Sequence, residues 1–219
     1  MGLLSSLQRS GPSGFGASST TEDVTAGVDL SGSTFLLTGC SSGIGLETLR
    51  VLGQRGARVL AAARSEEKAR VAIAASELEG KAVPLACELA DPASVRACVE
   101  RVKREGAPLD GIIANAGIMA LASLETRHGL ELQFLTNHVG HFLLVTGLLD
   151  RLADAGRVVV VSSAAHKRAP REGIDFDNLA GERSYAPWAA CGRSKLANIL
   201  LPRRSRGASR AHAARPTPS

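Results

Sequence analysis

Aromatic residues make up only 3% of this 219-residue chain, with one tryptophan, Trp188, and one tyrosine, Tyr185. The four cysteines, Cys40, Cys87, Cys98 and Cys191, form no C-x-x-C pair and no His-rich spacing, which argues against a disulfide framework or a zinc site. Free thiols in a reducing compartment, the cytoplasm, fit this usage. No apolar run is long enough to span a bilayer; the longest, Phe142 to Leu149, falls far short, and Met1 to Leu7 is too brief for a secretory signal. Met1-Gly2 with Ser6 matches a myristoylation pattern too short to carry weight. A soluble protein without a transmembrane segment is expected. Acidic residues are missing after residue 201, where Arg203, Arg204, Arg206, Arg210 and Arg215 account for the whole net charge of +5 and leave a neutral body. A basic end without interleaved aromatics reads as a solvated, disordered tail over 202–219, so no nucleic-acid partner is expected.

The remaining composition, 44% apolar and 21% charged, allows one sizeable core. Residues 1–30 are rich in Ser, Gly and Thr without sustained periodicity and read as a flexible or loosely docked leader. From there to residue 201, short apolar runs recur at Phe35-Leu36-Leu37, Arg58 to Ala61, Ala82 to Leu85, Leu109 to Ile113 and Arg157 to Val161. Runs apolar on both faces are what a helix-covered parallel sheet requires. Between them lie helical segments: Ile44 to Gln54 closed by Gly56, Glu66 to Leu78 closed by Gly80, and a helix opened by Asp91-Pro92 and closed by Gly106. The stretch from Glu125 to Ala153 predicts one long helix or two. The β-α alternation gives an α/β class with a doubly wound parallel sheet of about five strands.

The first strand runs directly into Thr38-Gly39-Cys40-Ser41-Ser42-Gly43-Ile44-Gly45 and then a helix. Glycines at this junction let the backbone approach a dinucleotide diphosphate, and the free amides of the helix start face its charge. After the second strand, where an acid would bind an adenosine ribose, the chain has Ala63-Arg64-Ser65, and a guanidinium there favours the 2′-phosphate of NADP over NAD. Glu88, after the third strand, lines an adenine pocket or is an exposed loop carboxylate. His138 and His141, one turn apart, lack a third ligand, so no metal site is assigned.

Taken with Asn115-Ala116-Gly117, Asn137, Ser162-Ser163 and Ser194-Lys195, the Thr38 to Gly45 loop resembles the short-chain dehydrogenase/reductase family over about residues 28–200. The wording Asn137-His138-Val139-Gly140-His141-Phe142 and Ser194-Lys195-Leu196-Ala197-Asn198 is most similar to its retinol-dehydrogenase-like branch. The resemblance implies a Rossmann-type fold and an NADP(H)-dependent oxidoreductase interconverting an alcohol and a carbonyl on a small lipophilic substrate. It also implies roles: Asn115, Ala116 and Gly117 support the cofactor side of the sheet, Asn137 holds a water in a proton relay, and Ser163, rather than Ser162, binds the substrate carbonyl. Lys195 binds the nicotinamide ribose and lowers the pKa of a tyrosine four residues earlier. Pairing as a homodimer, through the helices near Asn137 and Lys195, belongs to the same implication.

Two departures from the family pattern stand out. Cys191 occupies the tyrosine position, and a thiol there falls short of the reach of a phenol oxygen, so a buried structural cysteine is the favoured reading over a catalytic thiol. Tyr185 reads as a loop aromatic near the substrate entrance, since its i+4 neighbour is Ala189. After Leu201 the family's last two strands are not found, which is the expectation for a truncated or frameshifted chain. Catalysis is therefore expected to be impaired, with a non-catalytic nucleotide-binding protein or a non-functional gene product as alternatives.

Overall fold

A computed structural model describes residues 12–16 and 18–213. Residues 1–11, with the Met1-Gly2 pattern, and 214–219, with Arg215, lie outside the described residues. Five parallel strands form one sheet: β1 (Thr34–Thr38), β2 (Arg58–Ala63), β3 (Ala82–Ala86), β4 (Leu109–Ala114) and β7 (Leu152–Val160), in the order β3-β2-β1-β4-β7. Strand order reverses between β1 and β4, so their carboxyl ends border the crevice where doubly wound sheets bind ligands.

Consecutive residues of β1 show why the runs are apolar without alternating. Leu36 points into one cluster, with Leu60, Ile112, Val95, Val99 and Leu144, and Leu37 into the other, with Val59, Ala61, Leu49 and Ile73. Helix α2 (Gly43–Gln54) and helix α3 (Glu66–Ala75) supply the second cluster, and α4 (Pro92–Arg104) the first. In α4 the signals read from sequence are all present. The Asp91 side chain accepts from the Ala93 amide at 2.9 Å, Pro92 stands at the first position, and Val95, Cys98, Val99 and Val102 form the buried stripe.

Elsewhere the chain departs from expectation. The segment expected to be helical from Glu125 begins instead with a short antiparallel hairpin, β5 (Thr126–Arg127) and β6 (Leu130–Glu131), turned by His128 and Gly129 at positive φ. One continuous helical path follows, made of α5 (Leu132–Phe134), a π-helical turn over Leu135–Val139 and α6 (Gly140–Gly147). Strand β7 starts five residues earlier than the apolar run, because a register shift loops residues out between the pairs Leu109–Leu152 and Gly111–Arg157.

From Thr20 onward the N-terminal segment packs against helix α2. Helix α1 (Thr21–Val24) carries a Thr20/Asp23 capping box, Thr21 donates to Glu47, and Arg50 bridges Glu22 and Glu47. Helix α7 (Pro187–Ala213) carries the backbone through residues 202–213, a stretch rich in the strong helix formers Ala and Arg. Among the described residues no helix is long and apolar enough to cross a membrane.

Leu144→Ala, which empties a fully buried position shared by β4, α4 and α6, is expected to destabilise the chain by about 2–5 kcal/mol. Arg50→Ala removes solvent-facing ion pairs with Glu22 and Glu47 and an exposed hydrogen bond to Gln54, and is expected to leave the urea midpoint nearly unchanged. Equilibrium urea unfolding of the two variants measures the contrast.

Candidate functional site

Thr38, at the carboxyl end of β1, is buried and holds three neighbours. Its Oγ1 accepts the amide hydrogens of Asn115 (3.0 Å) and Ala116 (3.1 Å) and lies 2.8 Å from Nε2 of His141. With two donors already on that oxygen, its own proton goes to Nε2 rather than to the Ile113 carbonyl 3.5 Å away. Nε2 is then the acceptor, and the protonated Nδ1 donates to the Asn137 carbonyl at 2.9 Å. The Asn115 side chain adds a bond from Nδ2 to the Thr38 carbonyl at 3.0 Å.

The loop that follows is tight inside and open outside. Gly39 has φ 71°, and a Cβ there would sit 2.8 Å from Ala116 Cα; a Cβ on Gly45 would sit 2.0 Å from the Gly39 carbonyl oxygen. Ser41, Ser42 and Gly43 are exposed, and Ile44 is 73% exposed. Ser42 begins α2 without a side-chain cap, so the first amides of the helix have no side-chain acceptor. A helix start of this kind, at the switch point and with nothing but glycine tolerated behind it, fits a diphosphate.

The second half of the site lies where the π-helical turn meets α7. Asn137 is fully buried, not solvent-facing: Oδ1 accepts from the Ile118 amide (2.8 Å), and Nδ2 donates to the Ile118 carbonyl and to Ser194 Oγ (both 2.9 Å). A Cβ on Gly117 would lie 3.1 Å from Asn137 Oδ1 and 3.3 Å from Lys195 Nζ, which brings these three residues together. Lys195 Nζ donates to the Val161 carbonyl at 3.2 Å, and burial holds its pKa below the usual lysine value. Ser162 Oγ is spent on the Lys195 carbonyl (2.8 Å), whereas Ser163 is exposed and caps the short 3₁₀ turn Ala164–Arg168.

Cys191 is 1% exposed, and its carbonyl accepts from Ser194 Oγ. The Tyr185 hydroxyl is engaged by the protein: its oxygen donates to the Leu121 carbonyl (2.7 Å) and accepts from Gln133 Nε2 (3.2 Å). Burial raises its pKa further. Arg64 is exposed just beyond β2, and Glu88 is half-buried with its carboxylate accepting from the Ala90 amide at 3.1 Å.

A family model described as short chain dehydrogenase matches residues 33–174. The chain belongs to the short-chain dehydrogenase family. Among its relatives are the chloroplastic short-chain dehydrogenase TIC 32 B of Brassica napus, 40% identical over 88% of this chain and 63% of that protein, and mouse (Mus musculus) retinol dehydrogenase 12, 40% identical over 82% and 57%. The chain thus spans about three fifths of the length of these relatives. Of solved structures, an uncharacterized protein from Mycobacterium Paratuberculosis superposes with a TM-score of 0.72 at 37% identity, covering 83% of this chain and 66% of the other. A metagenomic short-chain oxidoreductase in complex with NADP gives 0.64 at 26% identity, over 84% and 78%.

For a short-chain dehydrogenase read from sequence, His141 was the residue missed: set aside as a non-ligand, it ties β1 to the π-helical turn. Its i+4 spacing from Asn137 was the available signal. Both imidazoles have a hydrogen-bonding partner, His138 Nδ1 lying 3.2 Å from Asn198 Oδ1. Among the described residues, no group of three or more His, Cys, Asp or Glu could hold a metal.

Burial lowers the His141 pKa to about 4 from an ordinary 6.5. The unfolded chain therefore takes up this proton first, and stability present above pH 6.5 is lost as the pH falls toward 4, by roughly 3 kcal/mol over the window. Denaturant unfolding at pH 7.5, 5.5 and 4.5 is expected to show this fall, with a shallower slope in His141→Gln.

Proposed function

We propose that this chain binds NADP(H) at the carboxyl edge of β1 and β4 and belongs to the enzymes that interconvert an alcohol and a carbonyl on a small lipophilic molecule, with its proton transfer impaired. The observation that carries the reading is the uncapped start of α2 behind a glycine cradle. There Ser41, Ser42, Gly43 and Ile44 would present their amides to a diphosphate, with Gly39 and Gly45 giving the clearance. Arg64, exposed past β2, supports NADP over NAD by offering a guanidinium to a 2′-phosphate. Glu88 is left a minor role beside the adenine, since its carboxylate is already engaged.

When bound, the nicotinamide supplies hydride exchange with the substrate carbon. Lys195, aligned by the Val161 carbonyl and packed against Gly117 and Asn137, would hold the ribose, and Ser163, with its hydroxyl exposed, would hold the substrate oxygen. The proton on that oxygen is the missing step. Cys191 is buried and shorter than a phenol, and misplacement by ~1 Å can cost ~10²-fold in rate. This same observation favours a second reading, a nucleotide-binding protein without turnover.

The four buried free thiols support a reducing compartment, the cytoplasm; the name of the Brassica napus relative places that protein in chloroplasts. Exposed Ile199 and Leu200 on α7 support a homodimer through that helix.

NADPH is expected to raise the melting temperature, more than NADH does, and Gly43→Asp, which sets a carboxylate at the helix start, is expected to abolish the shift. Arg64→Ala is expected to erase the difference between the two nucleotides. Cys191→Tyr is expected to raise NADPH consumption with an aldehyde panel by about 10²-fold or more. Turnover of the unmodified chain at the no-enzyme baseline selects the second reading, and absence of any NADPH shift overturns both.

A further inference from the structure

Gln133 is fully buried and joins segments that are far apart in sequence. Its Oε1 accepts the Ala120 amide hydrogen at 2.6 Å, and its Nε2 faces Glu131 Oε1 (3.1 Å), the Tyr185 hydroxyl (3.2 Å) and the Pro187 carbonyl (3.4 Å). The neighbours fix the orientation of the amide, because a backbone N–H needs an acceptor and a carboxylate needs a donor. Glu131 is itself fully buried, with no cation within ion-pair distance among the described residues, and its oxygens also accept from the backbone amides of Gln133 (3.0 Å) and Phe134 (2.9 Å). A glutamate at 133 would set two carboxylates against each other, and an apolar side chain would leave the Ala120 amide without its acceptor.

This junction holds a strained wall of the site. Ala120 has φ 49°, a left-handed conformation that strains a residue with a Cβ and persists only where its surroundings enforce it. The wall 118–121 is anchored at Ile118 by Asn137, at Ala120 by Gln133 and at Leu121 by the Tyr185 hydroxyl. Gln133 also reaches Pro187, the first residue of α7, and Lys195 lies about two turns further along that helix. Asn137, four residues after Gln133, repeats the connection from Ile118 to Ser194. Both links therefore run between the loop after β4 and α7, the two elements that bring Gly117 against Lys195. We propose that Gln133 is a positioning residue for the nicotinamide riboside half of the nucleotide, holding the wall 118–121 and the start of α7 at the separation that half requires. The inference rests on the nucleotide reading above and concerns only the half of the site away from the Thr38 to Gly45 loop, with which Gln133 makes none of these contacts.

The test is titration calorimetry of the full chain with NADPH and with adenosine 2′-phosphate 5′-diphosphate, a fragment that ends at the diphosphate. The parent is expected to bind NADPH about tenfold or more tighter than the fragment. Gln133→Met, similar in length but without either amide group, is expected to bring that ratio below about twofold while its affinity for the fragment stays within about twofold of the parent's. A general loss of structure would instead weaken both ligands together. Should Gln133→Met fail to fold, Tyr185→Phe, which removes only the hydroxyl between Leu121 and Gln133, is expected to lower the ratio by about threefold or more with fragment binding unchanged. Equal weakening of the two ligands, an unchanged ratio in the folded variant, or a parent ratio near one overturns the proposal and leaves the nucleotide reading standing. Binding of neither ligand to the parent overturns that reading, and the proposal falls with it.

Discussion

One hydroxyl group organises the carboxyl edge of this sheet. Thr38 Oγ1 receives two backbone amides from the turn after β4 and gives its proton to His141, whose other nitrogen reaches the Asn137 carbonyl. Each of these groups is buried or half-buried, and leaving a buried donor or acceptor unsatisfied costs about 1–3 kcal/mol. Three groups therefore depend directly on a single oxygen and the Asn137 carbonyl depends on it through His141, so the relative positions of β1, β4 and the π-helical turn are fixed together. The Gly39 and Gly45 contacts express the same constraint in steric form: the loop is pressed so closely against Ala116 and against itself that its inward side has no room for a side chain.

Because the inward side is satisfied by protein, the outward side remains available. The amides at the start of α2 face the crevice with no side chain competing for them, and the π-helical turn presents Asn137 to Ile118 and Ser194 instead of to solvent. Ser194 in turn bonds to the Cys191 carbonyl, and Lys195 bonds to the end of β7. Cys191 is held in this frame through its backbone carbonyl, and its side chain is buried. Under the proposed function, geometry for binding and chemistry for proton transfer are separable in this frame.

Legibility in the sequence followed the same division. The five strands could be read because a parallel sheet buried on both faces demands uninterrupted apolar runs, and α4 could be read because Asp91, Pro92 and its i, i+3, i+4 stripe are local signals. The Thr38 to Gly45 loop was legible for the same reason, its glycines being fixed by backbone clearance. The hairpin at Thr126–Glu131 was not, since its strands are two residues long and polar on the outside. Nor was the π-helical turn, which depends on Asn137 finding Ile118 nineteen residues away in sequence, nor the docking of α1, which depends on Glu47 and Arg50 on another helix. Partners distant in sequence decide these features, and no window of local composition contains them.

Near its start helix α7 carries two buried cations, Arg193 and Lys195, on opposite faces, and their chemistry separates their fates. Lys195 is accommodated by the Val161 carbonyl and by the ability of an ammonium to lower its pKa on burial, which limits the cost of keeping it out of water. Arg193 is accommodated by its neighbours alone. Its carbonyl and aromatic neighbours offer partial charge only, and its Nε is left without a partner. The guanidinium is planar and spreads its charge over three nitrogens, which lets one carbonyl and one ring face share the task that a single acceptor performs for Lys195.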